Sequence, residues 1–261
     1  GGGLFGPATA YGLRQQGLST VVLDDGDDVL RAARGNFGLV WVQSKGMGMH
    51  RYHAWSRESA RLYGDFAAEL KEGSGVAVAH RNDGGMHILL GEDEREQRRR
   101  EMDIMRQQAG VDGFECKIIE REEVEKMLPG VRLGDEVVGA SFSKHDGDVN
   151  PLKLLRALHT SFQRMGGKLR TDCRVENIRH DGAAFIAETR HGSFTAPKIV
   201  LACGHGITRL APMVGLDTPI VPQRGQVLVT ERAEPVLDMA LGSVRQTDEG
   251  TVQIGNTEED V

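Results

Sequence analysis

Two hydrophobic periods alternate along the chain. Segments with apolar residues every three or four positions read as helices, and short continuous apolar runs read as buried strands. Residues 7–16 read as a helix packed through Ala8, Ala10 and Tyr11, stopped by Gly17. Ser19-Thr20-Val21-Val22-Leu23 reads as a buried strand ending at Asp24. A loop over 26–48 leads to an amphipathic helix over 50–72, with Trp55, Ala60, Tyr63 and Phe66 among its apolar positions. Residues 76–90 read as two strands joined by Asn82-Asp83-Gly84-Gly85, a hairpin signal. The charged stretch 92–109 reads as a solvated helix in which Arg98, Arg99 and Arg100 are laced to Glu94, Glu96 and Glu101. A short acidic helix over 121–128 precedes Pro129-Gly130.

The clearest helix covers 150–165. Asn150 suits the N-cap and Pro151 the first helical position, while Leu152, Leu155, Leu158, Phe162 and Met165 share one face. Beyond Gly166-Gly167 come a strand over 169–178, a hairpin-like stretch over 184–194 and a buried strand over 198–202. Strands resume at 226–229 and 251–254. This alternation predicts an α/β fold with an inserted β-rich region and no internal repeat.

Composition narrows the class. Glycine makes up 34 of 261 residues, nearly twice its usual share of about 7%, and it gathers at turns and at the opening. With 39% apolar and 27% charged residues, a globular chain is expected. The net charge of −6 and the lack of a basic stripe argue against a nucleic-acid partner. No apolar run approaches the roughly 20 residues of a membrane span. Cys116, Cys173 and Cys203 are widely spaced and read as reduced core cysteines. His50, His53 and His145 have no third convergent ligand, so they read as surface or helix-cap residues and no metal is expected. The chain opens on Gly1 without methionine and closes on Val261, so a fragment cut at both ends is expected.

The candidate chemistry lies at the start. Gly1-x-Gly3-x-x-Gly6 has the spacing of a dinucleotide-binding turn. There the first glycine permits the turn, the second admits the pyrophosphate and the third allows helix and strand to pack closely. Helix N–H groups and the positive dipole end then face the phosphates. Asp24, at the end of the second strand of such a unit, stands where an acid binds ribose hydroxyls. The strand that would precede Gly1 is not in this chain. On these residues alone the dinucleotide is either NAD or FAD.

Five segments in order decide between them by resemblance. Gly1-Gly2-Gly3-Leu4-Phe5-Gly6-Pro7-Ala8-Thr9-Ala10-Tyr11, Arg34-Gly35-Asn36-Phe37-Gly38-Leu39, Asp146-Gly147-Asp148-Val149-Asn150-Pro151-Leu152, Ala202-Cys203-Gly204 and Pro222-Gln223-Arg224-Gly225-Gln226 span nearly the whole chain. Together they resemble the D-amino-acid oxidase-like FAD-dependent oxidoreductases. That group includes glycine oxidase, sarcosine oxidase, and the opine oxidase and hydrogen cyanide synthase subunits. The loop through Trp41 resembles the last two most.

The resemblance implies FAD as cofactor and a Rossmann-like FAD-binding domain formed by 1–75 and 144–217. An inserted β-rich α+β substrate domain would comprise 76–143 and 218–261, incomplete at its C-terminus. Gly1, Gly3 and Gly6 would meet the pyrophosphate and Asp24 the adenosine ribose. The family usually has Glu at that position, so the shorter Asp24 is expected to reach through a water. Asn36, Phe37 and Gly38 would lie along the isoalloxazine, although many members have alanine in place of Phe37. Val175 would meet adenine by its backbone, and Cys203 and Gly204 would approach the cofactor likewise. The family often holds substrate carboxylates with a C-terminal arginine or lysine, beyond Val261, so no catalytic residue is named. The implied activity is oxidation of the C–N bond of an amino acid or N-substituted amino acid. The alternatives are a non-catalytic or partner-dependent FAD-binding subunit, or an NAD-dependent dehydrogenase. The expected partner is a small amine or amino acid; a homo- or hetero-oligomer stays open, and the cytoplasm is the default location.

Overall fold

The computed structural model describes residues 1–26, 32–109, 114–255 and the backbone of 259–260. Parts of the 26–48 loop and of the closing segment thus lie outside the described residues. The N-terminal part contains α1 (Phe5–Gln15), β1 (Val21–Leu23), β2 (Leu39–Val40) and α2 (His50–Ser74). The middle contains β3 (Gly85–Leu90), α3 (Gly91–Ala109), β4 (Cys116–Glu120), α4 (Arg121–Met127), β5 (Val137–Ser143) and β6 (Gly147–Asp148). Then follow α5 (Pro151–Arg164), β7 (Lys168–Arg170), β8 (Val175–His180), β9 (Phe185–Thr189), β10 (Gly192–Ala196) and α6 (Ile207–Leu210). The last strands are β11 (Gln223–Arg224), β12 (Val227–Arg232), β13 (Ala240–Leu241), β14 (Val244–Gln246), β15 (Thr251–Gly255) and β16 (Glu259–Asp260).

A parallel pair, β1 with β7, is covered by α1 and α5 through Ala10, Val22, Phe162 and Leu169. Helix α5 starts where the pattern predicts, because Asn150 Oδ1 accepts hydrogen bonds from the N–H groups of Leu152 and Lys153. Pro151 costs nothing there, since the N–H it lacks would have no partner inside the helix. Leu154, Leu158 and Phe162 turn inward, whereas Leu152 is exposed. Helix α1 begins at Phe5, earlier than predicted, with Pro7 in its first turn; it buries Ala10 and Tyr11 and exposes Ala8. Helix α2 joins this layer through Leu70, against Tyr11, Leu154 and Leu158. Trp55 is 72% exposed on α2, and His53 is buried instead.

The second layer is the sheet β13-β3-β5-β4, antiparallel except for the β13–β3 pair. Its core joins Met86, Ile119, Ala140 and Leu241 to Val124 and Leu128 around α4. Two antiparallel three-stranded sheets, β10-β9-β8 and β12-β15-β14, complete the main strand pairings.

Three strand readings change. Residues 76–81 form no hairpin with β3. Asn150 N–H donates to Val78 O, and Arg81 and Asp148 exchange backbone bonds, so the partner of this stretch lies about 70 residues away. The predicted strand over 169–178 breaks into β7 and β8 around Asp172, whose φ is +55°. Residues 198–202 join no strand ladder among the described residues, and Val200 is 57% exposed. Apolar content marks a segment as strand-like, but a ladder needs a neighbour that the local pattern does not specify.

Candidate functional site

The glycine turn is dictated by contact. A Cβ on Gly6 would lie 1.8 Å from the Gly1 carbonyl oxygen, and one on Gly1 would lie 2.4 Å from the Ala202 carbonyl oxygen. Only glycine lets α1 pack this closely onto the turn, and the turn onto 202–203. Gly3 differs: among the described residues its Cβ would meet nothing nearer than Ala33 Cβ at 3.5 Å. Among the described residues, therefore, the space beside Gly3 is open. The first turn of α1 carries no acidic residue and no side-chain cap, so its positive dipole end faces no protein carboxylate within that turn.

Asp24 closes the same turn from below. Its buried carboxylate accepts from Gly2 N–H at 2.5 Å and from Gly26 N–H at 3.1 Å. An open cleft of about 300 Å³ runs past Gly2, Gly3 and Asp24 and is walled by Arg34, Arg156 and His159. His159 Nε2 lies 2.9 Å from the Gly2 carbonyl oxygen. Since a carbonyl only accepts, Nε2 carries the proton in this contact. No sequence motif marks Arg156 or His159. Their signal is the stripe Leu152, Leu155, Arg156, His159 and Thr160, the α5 side that lines the cleft.

The loop bearing Asn36, Phe37 and Gly38 docks elsewhere on the same layer. Asn36 Oδ1 accepts from Gly38 N–H at 2.7 Å, closing a tight turn in which Gly38 has φ +90°. Gly38 O accepts from Val149 N–H at 2.8 Å, and Leu39 of β2 pairs with Asp148 of β6. A Cβ on Gly38 would lie 2.4 Å from Val149 O and 2.9 Å from the Arg245 guanidinium. Asp148 takes two arginines: Arg81 at 2.6 Å and Arg245 at 3.3 Å.

Just beyond this loop, Asp146 holds the chain in place. Its carboxylate accepts from Val42 N–H at 2.5 Å and from Gln43 Nε2 at 2.6 Å. Gln43 Oε1 in turn accepts from Arg98 Nη2 at 2.8 Å and Ser141 Oγ at 2.6 Å. Burial pushes the Asp146 carboxyl up to about 7 against the lowering effect of these bonds. Arg98 is thus only 6% exposed, a correction to the solvated reading of its run, while Arg99 and Arg100 do face Glu96 at the surface. His53 corrects a second reading. Its ring is 1% exposed beside Phe114, its Nδ1 faces Lys45 O, and burial lowers its pKa.

Val175 opens β8 close to the end of β1: Cys173 N–H donates to Asp24 O, and Arg174 pairs with Asp25. The Val175 carbonyl accepts from Arg209 Nη2 at 2.6 Å, which ties β8 to α6. Cys203 backs onto Gly1, and Gly204, at φ +55°, begins the turn into α6. The structure therefore gathers Gly1, Gly3, Gly6, Asp24 and Cys203 around one turn, with Gly204 next along the chain and Val175 two residues past Cys173, which bonds Asp24. Asn36, Phe37 and Gly38 stand apart from it, against Val149 and Arg245. Among the described residues no group of three or more His, Cys, Asp or Glu converges as a metal site, and no helix is long and apolar enough to cross a membrane.

The glycine contacts, the open space at Gly3, the acid-free helix start and Asp24 together fit a dinucleotide. Comparison with known proteins identifies the kind. A family model described as FAD dependent oxidoreductase matches residues 1–261. The B-type subunit of opine oxidase from Rhizobium meliloti is 38% identical over 259 residues, covering 99% of this chain and 69% of that protein. Glycine oxidase from Geobacillus kaustophilus superposes with a TM-score of 0.89 at 23% identity, over all of this chain and 70% of its own. Dithionite-reduced L-alpha-glycerophosphate oxidase from Mycoplasma pneumoniae, solved with FAD bound, superposes at 0.83 with 21% identity, again over all of this chain and 70% of its own.

Proposed function

Because the chain belongs to the family of FAD-dependent oxidoreductases, we propose that it oxidises the C–N bond of an amino acid or N-substituted amino acid. The observation that carries this reading is the 38% identity to one subunit of an opine oxidase along almost the entire chain; the fold of a glycine oxidase supports it. When bound, FAD supplies a hydride acceptor: the amine-bearing carbon loses a hydride and the nitrogen a proton, leaving an imine that water hydrolyses to a carbonyl and a free amine.

The chain's own share is binding and orientation. N–H groups at the Gly1–Gly6 turn and the start of α1 hold the diphosphate, with Arg34, Arg156 and His159 walling that side. Asp24, which holds the Gly2 and Gly26 N–H groups beside the cleft, is the acid placed to accept from a ribose hydroxyl. Val175 meets adenine by its backbone, Cys203 and Gly204 approach the cofactor by theirs, and Asn36, Phe37 and Gly38 border the flavin ring. The same reading assigns 1–75 with 144–217 to FAD and 76–143 with 218–261 to the substrate. Support for this division comes from the β13-β3-β5-β4 sheet, drawn wholly from the second set, and the β1–β7 pair, drawn from the first.

The test is an absorbance spectrum of the full-length protein. Flavin bands that amino acids or opines bleach without oxygen support the proposal, and a colourless protein that takes up no added FAD overturns it. The opine oxidase relative is itself a subunit, which favours a second reading in which turnover requires a partner chain. Flavin bands bleached only after a partner is added would establish that version.

A further inference from the structure

We propose that Arg245 supplies the positive charge of the flavin site, set against the Asn36–Gly38 loop, where it favours the electron-rich reduced flavin. The inference rests on the reading that this loop borders the isoalloxazine. Arg245 is 1% exposed, so its charge acts through protein rather than water and is weakly screened. Its Nη1 donates to Asp148 Oδ1 at 3.3 Å and Val149 O at 3.0 Å, and its Nε donates to Gln253 Oε1 at 2.9 Å. Among the described residues no hydrogen bond occupies Nη2. That nitrogen lies 2.9 Å from the Cβ position of Gly38, and the guanidinium carbon lies 5.8 Å from the Phe37 ring centre.

Two further facts point the same way. Among the described residues Asp148 is the one carboxylate in salt-bridge contact with Arg81 and Arg245; Asp248 acts on Arg245 only from a distance and is itself bonded to Lys153, so positive charge predominates around Asp148. A buried cation without its own anion is costly, and it persists where a charge arrives to meet it. The loop's Gly38 N–H is already spent on Asn36, so it does not supply a donor for that charge. Arg245 comes from β14, in the part of the chain assigned to substrate, and so bridges the two parts at the cofactor's edge.

The experiment compares full-length, FAD-loaded wild type with Arg245→Gln, Arg245→Met and Arg245→Lys. In each, the flavin midpoint potential and the dissociation constant of acetate, a simple carboxylate probe, are measured. Arg81 still pairs Asp148 in every variant, so the buried carboxylate keeps a partner. Loss of the charge should reduce the equilibrium constant for flavin reduction about tenfold or more, or about 30 mV for a two-electron couple. Lysine should recover most of that shift, which a purely structural role would not allow, and acetate binding should change by less than about threefold. An unchanged potential in both uncharged variants overturns the proposal. Weakened acetate binding at constant potential also overturns it and assigns Arg245 to a substrate carboxylate. A wild type that takes up no FAD removes the flavin reading itself, a result distinct from either.

Discussion

Alanine at Gly6 and alanine at Gly3 add the same methyl to the same turn, yet the structure implies opposite failures. At Gly6 the new carbon would sit 1.8 Å from the Gly1 carbonyl oxygen, and that contact is backbone on both sides. Relief requires α1 and the turn to separate by about 1 Å in an interior packed near crystal density. Overpacking of this kind costs about 1–3 kcal/mol, and a chain this long loses roughly 2–4 °C in Tm per kcal/mol. At Gly3 the methyl meets Ala33 Cβ at 3.5 Å, an ordinary contact, and the backbone is outside the left-handed region. Stability should therefore hold, while the methyl fills the space left for the diphosphate. FAD affinity should fall at least about tenfold, which is about 1.4 kcal/mol. The assay pairs thermal unfolding of the FAD-free protein with titration of FAD fluorescence. A Gly3→Ala protein that binds FAD within about threefold of wild type would refute the reasoning, as would a Gly6→Ala protein that melts at the wild-type temperature.

Further expectations follow from the buried polar groups. Asp24→Ala removes the carboxylate that accepts from the Gly2 and Gly26 N–H groups, and should cost about 1–3 kcal/mol in denaturant unfolding; an unshifted midpoint would contradict the assigned bonds. The Asp146 carboxyl, raised by burial from its ordinary 3.8 to about 7, binds its proton more tightly folded than unfolded. Its contribution to stability is full below about pH 4 and is lost as pH rises through about 7. Unfolding free energies measured across that window should show this slope in the wild type and lose it in Asp146→Asn; equal slopes in both proteins would rule the group out. Arg98→Met should cost about 2 kcal/mol by removing the bonds that Arg98 donates to Gln43 and Ser141, whereas Arg99→Met should stay within about 0.5 kcal/mol, and equal losses would restore a solvated Arg98.

Much of this protein was legible in local pattern. The N-cap and first residue of α5, the glycine spacing at the N-terminus, the β1 run ending at Asp24 and the ordered family motifs depend on backbone preferences of neighbouring residues. Such preferences act within a turn or two of chain, and the fold class follows from them; the cofactor class came from the resemblance carried by the ordered motifs. Much of what local pattern misjudged depended on a partner outside the segment. Val78 and Arg81 look like one arm of a hairpin until Asp148 and Asn150 arrive to take their backbone bonds. Trp55 and His53 share a helix, and only the neighbouring Phe114 and Lys45 decide that the imidazole is buried and the indole exposed. Arg98 reads like its two neighbours, but α3 turns it toward Gln43 and Ser141. Arg245, His159 and Arg156 carry no motif, yet they stand at the two ends of the candidate site because β14 and α5 pack there. Sequence alone determined which segments become helix, strand and glycine turn, because those choices are made by each residue's own backbone. Only the tertiary structure decided which charges are buried and what they face, because desolvation and pairing are properties of the groups brought together.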